Sequence, residues 1–124
     1  MGREWVRWCK GAALAVEGDE VEVRFPDERG HRVRVEDTGE AFRLVGVVAR
    51  RAVVEPLENI TLRLWRLNRV TQVVGFRVDE RERILGEAWV PKAGLSEAEF
   101  VSCLRQVAAG CDRLEYLLTG RDVE

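Results

Sequence analysis

Asp112, Glu115 and Tyr116 lie within five residues of one another near the C-terminus. On a helix, positions three and four apart are surface neighbours, so the three side chains can share a face. Carboxylates grouped in a cleft can do acid–base chemistry if their surroundings shift their pKa values. Glu87 beside Trp89 is a second place to look. Arginines such as Arg105 and Arg113 stand close in sequence and make plain salt bridges the simpler reading. His31 is the only histidine. It has no Cys, His or acidic partner at metal-ligand spacing, so it reads as an exposed strand-end residue rather than a ligand. Cys9, Cys103 and Cys111 are an odd, unclustered set. The last two would lie about 12 Å apart along one helix, too far to bridge. They read as small apolar residues of a reducing compartment, and Arg105 is the one local cue for a lowered thiol pKa at Cys103. No Gly-rich phosphate loop and no nucleophile elbow occurs. No catalytic, cofactor-binding or metal-ligating residue is assigned, and the chain reads as a non-enzyme.

Composition narrows the classes further. The 124 residues, 46% hydrophobic and 34% charged, fit one domain spanning 1–124 that can bury a core without staples. Twenty basic and 22 acidic residues give a net charge of -2. This balance argues against nucleic-acid binding, which calls for a basic excess or stripe. Arg63, Arg66 and Arg69 form a short basic row, but Glu55, Glu58 and nearby acid-rich loops make it a solvated face. No apolar run approaches 18 residues, so no membrane span is expected. Glu4, Arg7, Lys10 and Gly11 interrupt any signal-peptide core. The expected location is cytoplasmic.

The elements that would position these groups follow from periodicity. Phe100, Leu104, Val107, Cys111, Leu114 and Leu118 recur at alternating spacings of four and three, the stripe of an amphipathic helix. Val101, Ala108 and Leu117 widen the stripe. Ser96 with Glu99 forms a capping box at its start, and Gly120 suits its end. Gly110 in mid-helix would let a strand or helix approach closely. Upstream, Trp5, Trp8, Cys9, Ala12 and Val16 predict a first helix over 4–16, with the two tryptophans anchoring it to the core. Val21, Val23 and Phe25, then Val33 and Val35, alternate with charged residues and predict a hairpin. Phe42 to Arg50 is apolar on both faces, with Phe42, Leu44 and Val48 on one and Val45, Val47 and Ala49 on the other. A strand covered on both sides has this pattern. Pro56 would open a second helix, followed by strands over 70–78 and 84–90. The fold class is α+β: an antiparallel five-stranded sheet with helices packed on it, in the order α-β-β-β-α-β-β-α.

Leu64-Trp65-Arg66-Leu67-Asn68, then Val74-Gly75-Phe76-Arg77-Val78, a charged turn, a strand and a loop ending at Gly94-Leu95 before the capped helix together resemble the YbjN-domain proteins. The resemblance covers about residues 20–119. It implies a fold similar to that of type III secretion chaperones, with a strongly bent antiparallel sheet and usually a homodimer. It also implies a protein-binding role. No catalytic signature defines the family, and fold alone does not carry the chaperone activity across.

The second helix supplies an independent reason to expect a partner. Leu57, Ile60, Leu64 and Leu67 make one stripe, while Leu62 and Trp65 lie about 100° or more away on the helical wheel. One protomer core cannot cover both faces. Val45, Val47, Leu62, Trp65, Arg66 and Arg69 are therefore the candidates for a dimer or partner interface. The expected function is a non-enzymatic homodimeric module that binds a protein or peptide client as a chaperone or regulatory adaptor. The alternative is a small enzyme or ligand-binding regulator with an unrecognised site.

Overall fold

The computed structural model describes residues 3–119. Ten elements follow in order: α1 (Glu4–Trp8), β1 (Leu14–Glu17), β2 (Glu20–Arg24), β3 (Gly30–Asp37), β4 (Ala41–Ala49), α2 (Arg51–Val54), α3 (Ile60–Asn68), β5 (Gly75–Val78), β6 (Ile84–Pro91) and α4 (Glu97–Thr119). The strands form one antiparallel sheet in the order β1-β2-β3-β4-β6-β5. It has six strands rather than the expected five. α4 packs across β3, β4 and β6, α1 packs on α4, and α3 packs on β5.

The extra strand comes out of the expected first helix. α1 stops after five residues, and Gly11 turns the chain at φ +99°, a conformation that costs glycine little and other residues much. Leu14 and Val16 then point one way and Ala15 and Glu17 the other, a period of two that their spacing from Trp8 disguised as helical. The strand folds back on β2 through Gly18, pairing Leu14 with Val23 and Glu17 with Glu20. Trp5 and Trp8 do anchor the N-terminus. Trp5 is buried, and both rings contact Phe100, with centroids 6.3 and 5.3 Å away. Phe42 completes the cluster 5.3 Å from Phe100.

α4 begins as its sequence prescribes. The Glu99 amide donates to Ser96 Oγ at 3.1 Å, and the Ser96 amide donates to Glu99 Oε1 at 3.0 Å. Phe100, Leu104, Val107, Ala108, Cys111 and Leu114 are buried, whereas Leu117 is exposed. Gly120 lies outside the described residues. At Gly110 the close neighbour is Val74, in the segment entering β5.

Two boundaries differ from expectation for local reasons. Pro56 does not open a helix. α2 ends at Val54, and the Leu57 amide bonds back to the Val54 carbonyl. α3 starts only after Asn59, which adopts the left-handed conformation at φ +56°. The expected strand over 70–78 shrinks to Gly75–Val78, because the chain is still turning out of α3 at Val70. In β4 the expected alternation holds through Val47, where the register against β6 shifts. A bulge places two successive residues on one side. Ala49 therefore joins Val48 in the core instead of lying on the opposite face.

The edge at β5 is closed by a side chain. The Asn68 amide accepts from the Phe76 N–H and donates to the Phe76 carbonyl, both at 2.8 Å. One carboxamide thus satisfies the two backbone groups that a further strand would otherwise pair.

The charged turn between β5 and β6 is built on Asp79, whose side chain is only 4% exposed. Its carboxylate accepts from the amides of Arg81 and Arg83 and from Arg83 Nε, at 2.8–3.0 Å. Burial alone would raise this carboxyl's pKa, but the bonds from the Arg83 backbone and guanidinium and from the Arg81 backbone outweigh it. The pKa is held below the usual value. A depressed carboxyl stabilises the fold above its unfolded pKa near 3.8 and loses that contribution as pH falls toward the folded value. Asp79→Asn is expected to be destabilised at pH 7, because the charge-assisted bonds are weakened. It is also expected to show a shallower loss of stability below about pH 4 than the parent protein. Urea melts at pH 7 and pH 3 check this; parallel pH profiles for the two proteins would count against it.

Candidate functional site: two uncovered surfaces

The six interface candidates separate into two groups. α3 turns Leu64 into the core, with Ile60 and Leu67 half-buried beside it. The opposite side of the helix carries Leu62, 45% exposed, and Trp65, 57% exposed. Three residues apart, they form one apolar strip. Leu57, Asn59, Ile60 and Thr61 extend it into a shallow groove of about 610 Å³. Arg69 lies over the Trp65 ring, 5.3 Å from its centroid, a cation–π contact. Arg66 is exposed beside them.

Val45 and Val47 lie on the side of the sheet away from α4. Val47 is 40% exposed and Val45 half-buried. They line a trough of about 820 Å³ with Arg32, Arg34, Arg43, Arg77 and Leu85. Arginines and glutamates alternate along its floor. Arg43 bridges Glu36 at 2.9 Å and Glu87 at 2.6 Å, and Arg77 reaches the other Glu87 oxygen at 3.1 Å. Burial pulls the Arg43 pKa down, but the two glutamates more than reverse that and hold it charged. Trp89, on the same face of β6, is 58% exposed under the Arg43 guanidinium. The expectation that this strand is covered on both faces is therefore met on one side only within the protomer. β5 links the two surfaces: it sends Arg77 into the trough and takes α3 on its outer edge. The groove and the trough share no lining residue.

Two of the residues considered for catalysis, Asp112 and Glu87, are held in ion pairs with arginines. Asp112 Oδ2 meets Arg29 Nη2 at 2.6 Å, a partner 83 positions away and not the sequence neighbours Arg105 or Arg113. The same guanidinium lies 3.9 Å from the Tyr116 ring centroid. Glu87 is occupied by Arg43 and Arg77. The thiols are not primed for reaction. Burial pushes Cys9 up to about 11 and Cys111 up to about 12, and burial together with Glu99 raises Cys103. His31 corrects the sequence reading. Its side chain is only 9% exposed, and Nδ1 lies 3.7 Å from Glu115 Oε1. Sequence spacing gives no warning of this, because β3 and α4 meet only through the fold.

With this geometry in hand, the chain can be set beside known proteins. Its fold matches a chain of the ExsC–ExsE complex. The likeness has a TM-score of 0.63 at 18% identity and covers 95% of this chain and 96% of that one. A chain of the heterodimeric ExoU–SpcU complex from the type III secretion system of Pseudomonas aeruginosa matches at a TM-score of 0.60 and 13% identity, over 94% and 96%. At these identities the likeness shows the fold alone, and that fold agrees with the one the resemblance implied. No family model and no curated protein matches the chain, so the resemblance to the YbjN-domain proteins rests on the residues quoted for it. Among the described residues no helix is long and apolar enough to cross a membrane.

Proposed function

We propose that the chain is a non-enzymatic protein-binding module that pairs with a second copy of itself through α3 and holds a segment of another protein, in the manner of a secretion chaperone or a regulatory adaptor. The exposed Leu62–Trp65 strip carries this reading. A tryptophan and a leucine side by side on a regular helix are costly to leave in water, each worth about 1.5–3 kcal/mol when buried. A two-fold contact presents the same strip from both copies, so one self-complementary helix crossing covers both. Both matched structures are complexes of two different proteins, which favours a client in addition to the copy. The trough along β4 and β6 suits that role. It offers apolar contacts at Val45 and Val47, set among arginines and glutamates that can pair with a polar segment, and Trp89 is exposed on the same face of the sheet.

Light scattering behind size exclusion, at tens of micromolar chain, tests the pairing. The expected mass is twice 14.1 kDa. A single species at the mass of one chain, stable on concentration, overturns it.

A further inference from the structure

We propose that His31, Asp112 and Glu115 form a binding site for one divalent transition-metal ion of the zinc class, which clips the C-terminal half of α4 to the start of β3. One ligand-type atom from each side chain lies within 4.8 Å of the other two. Asp112 and Glu115 share a face of α4, and His31 comes from the strand beneath.

The histidine decides the chemistry. Its Nε2 lies 2.8 Å from the Val47 carbonyl oxygen. A carbonyl only accepts, so Nε2 carries the hydrogen, and in the neutral ring Nδ1 keeps its lone pair. Glu115 Oε1 lies 3.7 Å from that nitrogen, beyond hydrogen-bond reach. The side chain is nine-tenths buried. Two electron-rich atoms at this separation leave room for a cation between them. A ligating histidine ordinarily donates its other N–H to a carbonyl or carboxylate, which fixes tautomer and ring orientation, and Val47 does this here. Asp112 is supported in the same way. Arg29 holds Oδ2 at 2.6 Å while stacking on Tyr116, leaving the other carboxylate oxygen for an ion.

One imidazole and two carboxylates suit Zn²⁺, Co²⁺ or Ni²⁺ better than Ca²⁺, which prefers six to eight oxygens. At zinc bond lengths of about 2.0–2.1 Å, tetrahedral ligands sit roughly 3.4 Å apart. The His31–Glu115 separation of 3.7 Å is already near that, and the half-buried Glu115 can close the remainder by rotation about its side-chain bonds. The fourth position would open to the small depression of about 260 Å³ bounded by Arg29, Gly30 and Tyr116, where water can enter. This site shares no residue with the α3 groove, so its failure would leave the pairing of copies through α3 untouched; His31 and Glu115 do line one end of the trough offered to a client.

Metal-stripped protein titrated with ZnCl₂ in a calorimeter, and with CoCl₂ by visible absorption, tests the site. One ion per chain is expected, with tetrahedral cobalt bands, a raised melting temperature and a changed His31 Nδ1 shift in ¹⁵N spectra. His31→Ala and Glu115→Gln should each weaken binding by roughly 100-fold, comparable to or above the loss seen for supporting residues. Glu115→Gln keeps the side-chain volume at a half-buried position, so it reports even if His31→Ala fails to fold. Absence of saturable binding, or equal binding by the parent and Glu115→Gln, overturns the site. Equal binding would place the ion elsewhere, for instance on Cys9 or Cys103, and no binding would mean that His31, Asp112 and Glu115 hold no ion.

Discussion

Gly86→Ala is expected to destabilise the protein by about 2–3 kcal/mol, and Gly86→Val to leave little folded chain. Gly86 on β6 pairs directly with Gly46 on β4, and together they leave a slot in the sheet under α4. Cys111, fully buried, fills it. A Cβ on Gly86 would stand 2.5 Å from Cys111 Sγ and 2.9 Å from Phe76 Cε1; one on Gly46 would stand 2.9 Å from the same sulfur. Two opposing effects must be compared. Alanine restricts the unfolded chain and would gain about 0.4–1 kcal/mol where it fits. Overpacking a fixed core costs about 1–3 kcal/mol, occasionally more. Here the sulfur is a short side-chain end with no free space, and the Phe76 ring is only 4% exposed, so the second effect wins. A valine adds two methyl groups to the same space and exceeds what a domain with about 5–15 kcal/mol of stability tolerates easily. Urea unfolding gives the numbers, and Gly75→Ala serves as the control. Among the described residues no atom lies within 4 Å of its added Cβ, so its change should stay within about 0.5 kcal/mol. In the double variant Gly86→Ala/Cys111→Ala the shorter clash disappears and the Phe76 contact remains. The two changes should therefore couple by about 1 kcal/mol or more in the stabilising direction. Additive losses, or a Gly86→Ala protein as stable as the parent, would show that α4 does not press on the sheet at this point.

The slot shows where sequence reading ends. A strand glycine announces a weak point or a close approach, but nothing local to Gly46 or Gly86 says that one cysteine on a helix 25 residues beyond Gly86 serves both. The same holds for Arg29 with Asp112 and for His31 with Glu115. Their partners are chosen by how α4 crosses the sheet. What the sequence did disclose was local in its physics. The Ser96–Glu99 box, the α4 stripe, the alternation in β2 and β3, and the two-sided character of the middle helix all depend on neighbours within four residues. The misreadings came where two periods fit the same residues. Trp8, Ala12 and Val16 are helically spaced, and Leu14 and Val16 alternate. Gly11 at positive φ and pairing with β2 settled the matter for a strand, because a short helix is marginal and a sheet edge supplies partners at once. The split between α2 and α3 is of the same kind: Pro56 is compatible with a helix start, yet Asn59 in the left-handed conformation places the real start after it. For the partner surface, periodicity could say that Leu62 and Trp65 fall off the buried stripe. It could not say that Val47 and Trp89 are open as well, since that depends on which side of the sheet α4 takes.

Trp65→Glu is expected to convert a two-chain species into single chains at micromolar concentration, raising the dissociation constant by roughly 100-fold or more. Each copy would lose a buried ring worth about 1.5–3 kcal/mol, and the symmetric contact counts it twice. About 2.8 kcal/mol in total already gives 100-fold. Two glutamates brought near a two-fold axis add repulsion and desolvation to that loss. The protomer itself should survive. Trp65 is 57% exposed, and the core anchor of α3, Leu64, is untouched, so the far-UV spectrum should match the parent's. Leu62→Glu should act in the same direction and more weakly, because less area is removed. Val47→Glu distinguishes the two surfaces. It lies outside the α3 groove, so if copies meet through α3 it should leave the mass at twice the chain and weaken only the capture of a client segment. The opposite pattern, a two-chain mass for Trp65→Glu and a one-chain mass for Val47→Glu, would move the contact between copies to the open face of the sheet. It would leave the tryptophan strip for the client, because a surface already filled by a second copy has no room for another segment.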